Sequence, residues 1–100
     1  ALEKLEYYVC IDFFLNEMRK REMKAVVVLN NFWEWSGGFE QFLMWEGIET
    51  PDSFDFYTHK AANDHFKKFI SDVLSRTNSI NGIGYSSDDT IMSWQLANEP

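Results

Sequence analysis

The sequence predicts an α/β fold built on parallel strands, and three observations carry that expectation. Two short apolar runs, 25–29 and 91–97, read as strands. Each is preceded by a segment with helical periodicity, and strands separated by helices point to a parallel sheet. The composition supplies a core: 45% of residues are hydrophobic and 17% aromatic, with nine Phe, four Trp and four Tyr. Such a chain is not disordered. The same aromatics that build a core also line sugar-binding clefts, so their number serves either use.

The elements follow in order. Over 11–23 the apolar residues Ile11, Phe14, Leu15 and Met18 fall at i, i+3, i+4 and i+7, one stripe of a helix. Asp12, Asn16, Glu17 and Arg21 take its polar side, and residues 2–9 either join this helix or precede it. Cys10 reads as a small buried or interfacial residue without redox work. The Val-rich run 25–29 is continuous in its apolar character, which predicts a strand buried on both faces. A long connection over 30–58 holds a Gly37-Gly38 turn signal and a break at Pro51, Asp52 and Ser53. Connections of this length inside a compact fold are usually functional. Within it Met44 and Trp45 are expected to pack a loop helix, and Glu34, Glu40 and Glu46 to be solvated carboxylates.

A second helix spans 60–77, with Phe66, Phe69, Ile70, Val73, Leu74 and Thr77 as its inner stripe and Thr58 as its cap. His59 and His65 read as capping or surface residues. A polar loop, "NSINGIGYSSDD", leads to the last strand, 91–97. Strand parity puts Ile91, Ser93, Gln95, Ala97 and Glu99 on one face and Met92, Trp94, Leu96 and Asn98 on the other. The bulky set, Trp94 included, suits packing on helices. The small and polar set leads up to Glu99 at the carboxyl end of the strand, where parallel α/β folds keep their catalytic groups.

Charge and cysteine content narrow the function. Nine basic against sixteen acidic residues give a net charge of -7, which argues against nucleic acid or an anionic membrane as partner. The single Cys10 forms no intrachain disulfide, and no metal-type Cys/His spacing is present. No apolar run is long enough to span a bilayer, and no signal peptide is visible. The chain lacks an initiator Met, begins inside a helical pattern and stops after Glu99-Pro100. It is therefore expected to be a segment, residues 1–100, of one domain truncated at both ends.

The sharpest feature is "TIMSWQLANEP", residues 90–100, where an apolar strand closes on an amide, a carboxylate and a proline. An acid in that place is costly unless it has a use. This stretch resembles the fourth-strand signature of glycoside hydrolase family 5, a family of retaining glycosidases. "KAVVVLNNFWEWSGGFEQFLMW" is similar to the third strand and following loop of that family's endo-β-1,4-mannanases. "IDFFLNEMRKREMK" and "VLSRTNSINGIGYSSDD" resemble the runs that lead into those two strands, so the likeness covers 11–100.

The resemblance implies a partial (β/α)8 barrel, from about its second helix to its fourth strand. A whole barrel takes about 250 residues. It implies a secreted, monomeric full-length enzyme that hydrolyses β-1,4 bonds in mannan, glucomannan or galactomannan. Glu99 matches the general acid/base, and Asn98 the residue that binds the 2-hydroxyl at the cleavage point. The family's nucleophile, a Glu after the seventh strand, lies outside this chain, so the fragment alone is expected to be inactive. Trp33, Phe32 and Trp35 match the aromatic rim, with Trp33 the first candidate for sugar stacking and Asn31 a candidate substrate contact. Phe32 interrupts the Asn-Asn-Trp pattern of fungal members, which leaves open which aromatic holds the substrate. No metal or cofactor is implied, because two carboxylates suffice. Two other readings stay in view: a family 5 cellulase or other β-glycanase, and a non-catalytic sugar-binding or stand-alone α/β module.

Overall fold

The computed structural model describes residues 2–33, 35 and 38–100, with the backbone alone for residues 2–5. Its elements are α1 (Leu2–Lys20), β1 (Ala25–Val28), α2 (Gly38–Trp45), α3 (Lys60–Leu74) and β2 (Ile91–Gln95), with 3-10 turns at Ser53–Tyr57 and Tyr85–Ser87. The predicted order of helix, strand, long connection, helix and strand holds. β1 and β2 form a two-stranded parallel sheet. Two compact units divide the chain. One comprises 1–27 and 73–94, the other 28–72 and 95–100.

In the first unit, α1 reaches back to Leu2 and so takes in 2–9. Its end is a Schellman motif: Met23 N–H donates to the Met18 carbonyl at 2.9 Å and Glu22 N–H to Arg19 at 3.1 Å. Glu22 takes the left-handed position, φ 57°, that glycine usually fills.

The buried face of α1 departs from the expected one by a single residue. Ile11 and Phe14 are 41% and 69% exposed, whereas Asp12 and Leu15 are buried. The spacing i, i+3, i+4, i+7 also fits Asp12, Leu15, Asn16 and Arg19, so periodicity alone does not separate the two stripes. Polar residues can face inward here because they are partnered. Asp12 is wholly buried. It accepts from Arg76 Nε at 3.1 Å and Nη2 at 2.6 Å, and from Ser79 Oγ at 2.7 Å and its N–H at 3.1 Å. It accepts also from the Tyr85 hydroxyl. Asn78 Nδ2 donates to the Asp12 carbonyl, while its Oδ1 receives the Ile80 N–H and closes an Asx turn. Arg19 pairs with the buried Asp88 at 2.6 Å. Cys10 lies off this inward stripe and is exposed, not buried.

The second unit has an aromatic core. Phe39, Phe42 and Leu43 from α2, Phe56 from the 3-10 turn, and Ala62 and Phe66 from α3 are buried together. Phe39 and Phe56 stack at 4.2 Å between ring centres. α2 is thus a helix within the long connection, as expected, although Met44 and Trp45 themselves are exposed. The break at 51–53 is the cap of the 3-10 turn, where Asp52 accepts from the Phe54 N–H at 3.0 Å. Helix α3 keeps its predicted inner stripe as far as Leu74 and stops there, three residues short of Thr77. Its cap is His59, whose Nδ1 accepts from the Ala62 N–H at 3.1 Å. Thr58 instead turns back to the Asp55 carbonyl.

The strands were expected to be buried on both faces. β1 alternates instead between half-buried and exposed residues, with Val26 and Val28 exposed, and in β2 Met92 and Gln95 are exposed while Ile91, Ser93 and Trp94 are half-buried. An isolated strand pair has two faces to cover, and these residues cover only part of each.

Asp12 makes a stability prediction possible. Burial alone would raise its pKa, but hydrogen bonds from Arg76, Tyr85 and Ser79 outweigh that and hold the carboxyl well below the usual range. A folded-state pKa below the unfolded value gives stability that is present above about pH 4 and lost as pH falls toward the folded pKa. Asp12→Ala strands a mostly buried guanidinium, and breaking a buried pair from one side costs about 3–5 kcal/mol. Urea denaturation of the intact protein at pH 7 is expected to show a loss of that order, and the variant should have a flatter stability profile below about pH 4.

Candidate active site

The candidate residues come from two segments of the second unit, 29–33 and 35 after β1 and 95–100 at the end of β2. The parallel pairing does not stop at the strand ends. Leu29 N–H donates to the Gln95 carbonyl at 2.9 Å, Asn98 N–H to Asn30 at 3.0 Å, and Phe32 N–H to Asn98 at 3.0 Å. Asn31 and Asn98 face each other as a parallel bridge. This ladder fixes the register of residue 98 and so the place where residue 99 emerges.

Beyond the bridge, Glu99 takes a left-handed backbone, φ 49°. Few L-residues adopt that region, and the conformation costs about 1–2 kcal/mol. Strained backbone of this kind clusters at functional sites. The turn brings the carboxylate to Trp33, whose Nε1 donates to Glu99 Oε2 at 2.5 Å. Asn31 Oδ1 joins the same cluster. It accepts from the Trp33 N–H at 3.3 Å and from Asn98 Nδ2 at 3.4 Å.

The structure therefore brings together four of the six residues singled out in the sequence: Asn31, Trp33, Asn98 and Glu99. Phe32 is half-buried and packs against the aromatic core, edge-on to Trp33, Phe39 and Phe54. Trp35 is 78% exposed. Glu34 and Gly37 lie outside the described residues. Glu40 and Glu46, expected to be merely solvated, both have partners: Ser53 Oγ donates to Glu40 at 3.0 Å, and His65 Nδ1 lies 3.3 Å from Glu46.

Two features escaped the sequence reading. The first is the polar use of the Trp33 indole, since residue type alone does not tell a stacking ring from a donor. The second is Gly38, for which the Gly-Gly pair was the available signal. Its φ is +54°, and a Cβ there would lie 2.5 Å from the Trp33 carbonyl oxygen and 2.9 Å from that of Asn31. Glycine lets the start of α2 lie directly under the loop that carries both residues.

A strand-end carboxylate held by an indole N–H, next to an exposed amide, is an arrangement fit for proton transfer at the carboxyl edge of a parallel sheet. That is the class of site found in barrel enzymes of the α/β type. The chain belongs to the GH family 5 beta-mannosidase-like family, whose model matches residues 3–100. It is 38% identical over 90 residues to mannan endo-1,4-beta-mannosidase 1 of Arabidopsis thaliana, covering 90% of this chain and 21% of that protein. It is 31% identical over 98 residues to mannan endo-1,4-beta-mannosidase 7 of Oryza sativa subsp. japonica, covering 95% of this chain and 26% of the relative. Among solved structures, the endo-beta-1,4-mannanase of Thermotoga petrophila superposes with a TM-score of 0.87 at 30% identity, over 93% of this chain and 20% of that one. The endo-1,4-beta-mannanase of Rhizomucor miehei gives 0.84 at 39% identity, over 90% and 25%. The chain thus spans about a fifth to a quarter of the length of these relatives, and its fold is a partial (β/α)8 barrel.

Gly38→Ala tests the support of the loop. A Cβ at that φ is strained by about 1–2 kcal/mol before any clash is counted, and the carbonyls of Asn31 and Trp33 must then move. Chemical denaturation of the intact protein is expected to show at least that loss, together with a changed Trp emission spectrum. Unaltered stability would mean that the close approach of Gly38 does not hold.

Proposed function

We propose that this chain is a segment, truncated at both ends, of the catalytic domain of a retaining endo-β-1,4-mannanase that acts on mannan, glucomannan or galactomannan. The observation that carries the reading is the Glu99 carboxylate, fixed at the end of a parallel strand by the Asn31–Asn98 bridge and the Trp33 indole. Family membership and the mannan-acting relatives support the substrate class. The segment reading is further supported by apolar residues of α1 and the strands that stand exposed, among them Val9, Phe13, Phe14, Val26 and Met92. Apolar area of that kind is what the remaining helices and strands of a barrel would cover. The full-length enzyme is secreted and monomeric on this reading, and its partner is the polysaccharide.

The chemistry needs two carboxyl groups about 5–5.5 Å apart. Glu99, protonated, donates to the glycosidic oxygen as the C1–O bond breaks, and a carboxylate outside this chain forms the new bond to C1. The glycosyl-enzyme is then hydrolysed. Glu99, now a carboxylate, takes a proton from water as the water oxygen attacks C1 and the enzyme carboxylate leaves. Asn98, exposed beside Glu99, is placed to bind the 2-hydroxyl, a contact that strengthens in the transition state.

In the full-length protein, Glu99→Gln is expected to cut polysaccharide turnover by about 10²–10⁴, the usual worth of general acid–base assistance. The first step on an aryl mannoside with a good leaving group should largely survive, because little protonation is needed. The glycosyl-enzyme should then accumulate, and azide should restore turnover with a β-mannosyl azide product. Equal loss on both substrates, with no azide effect, would remove Glu99 from the acid/base role. Comparable or greater activity of the unaltered protein on carboxymethyl cellulose than on glucomannan would move the substrate assignment to a family 5 β-glucanase.

A further inference from the structure

We propose that Trp33 is a positioning residue for Glu99, acting through its indole N–H rather than as a stacking face for sugar. The inference rests on the acid/base reading of Glu99 given above. Contacts of both the indole and the backbone of Trp33 place this residue against Glu99 and the loop. Its Nε1 donates to Glu99 Oε2 at 2.5 Å. Its backbone N–H donates to Asn31 Oδ1 at 3.3 Å. Its ring meets Phe32 edge-on, 5.4 Å between centres at 88°, and Phe32 is in turn packed on the aromatic core.

The consequence for Glu99 is directional. Trp has one donor and no acceptor, so its bond to Oε2 is made whether or not the carboxyl is protonated. With Oε2 taken, Oε1 is the oxygen left to carry the proton to the leaving group. In the first step the indole stabilises the negative charge that appears as the proton departs, since hydrogen bonds to a charged partner are the stronger kind. In the second step the same bond keeps the carboxylate aimed while it takes a proton from water. Residue 99 lies beyond the Asn31–Asn98 bridge with a left-handed backbone, φ 49°, and the indole N–H is what its carboxylate meets there.

A stacking ring and a positioning donor differ in measurable ways. In the full-length protein, Trp33→Phe keeps an aromatic face and removes the donor. It is expected to lower kcat on mannan about 10- to 100-fold, the range for a lost hydrogen bond to a charged group, with KM nearly unchanged. Replacing Trp33 with benzothienylalanine, in which sulfur stands for the N–H, keeps the ring volume and should give the same split; it decides the matter if Trp33→Phe fails to fold. The decisive comparison uses Glu99→Ala with an activated aryl mannoside and azide. A residue that acts only through Glu99 has nothing left to act on there, so adding Trp33→Phe should change the rescued rate by less than about two-fold. An equal loss in both backgrounds, or a loss confined to KM, would overturn the proposal and return Trp33 to sugar stacking. Absence of azide rescue in Glu99→Ala itself would instead remove the acid/base reading, and this proposal with it.

Discussion

The candidate site depends on a short stretch of parallel backbone pairing that continues past the ends of the strands. Asn98 donates to the Asn30 carbonyl and accepts from the Phe32 N–H, so it is clamped on both sides by one segment. A one-residue slip of that pairing would send residue 99 to the opposite face. Everything proposed for Glu99 follows from this register: its emergence at the carboxyl edge, its left-handed turn and its contact with Trp33. The loop opposite is set from below by the buried aromatic rings and by the start of α2, which approaches so closely that only glycine fits at position 38. The connection is long because it must build this support, a helix and a 3-10 turn, before α3 begins.

The other unit is held by different means. Its centre is an ionised carboxylate, Asp12, surrounded by donors from Arg76, Ser79 and Tyr85. Burial of Tyr85, together with the charge of Asp12, pushes the phenol up, so it stays a donor across the range in which the protein would work. Asp88 is likewise buried and held low, with the cost of burial outweighed by the Thr90 N–H and by Arg19. Ion pairs of this kind contribute little net stability compared with apolar packing, but losing one partner is severe. They also make demands on geometry that apolar contacts do not. The loop over 75–90 can close on α1 only where its donors meet Asp12.

Much of this was legible in the sequence. Both strands and the α3 stripe followed from periodicity, and the quoted motifs carried the family; parity put Asn98 and Glu99 on opposite faces, whereas the left-handed turn at Glu99 brings both into one cluster with Asn31 and Trp33. What was not legible has physical reasons. The inward stripe of α1 lies one position from the apolar one because two sets of residues share the same spacing, and a polar set ordinarily faces water. The donors that let Asp12 face inward lie more than sixty residues away in the chain. His59 rather than Thr58 capped α3, because Thr58 was already committed to the preceding turn. Residue type alone offers Trp33 as a ring for sugar, because aromatic residues near a sugar site are commonly platforms, and only the fold shows that its N–H meets a carboxylate.

The roles of Glu99 and Trp33 depend most directly on where the two oxygens of Glu99 point when substrate is bound. A crystal structure of the full-length protein with a thio-linked manno-oligosaccharide, which resists cleavage, measures this. Glu99 Oε1 is expected within hydrogen-bonding reach, about 3 Å, of the bridging sulfur that replaces the scissile oxygen, with Oε2 still bonded to Trp33 Nε1. A Glu99 side chain turned away from the linkage, or the Trp33 ring lying flat against a sugar with its N–H released, would contradict those roles.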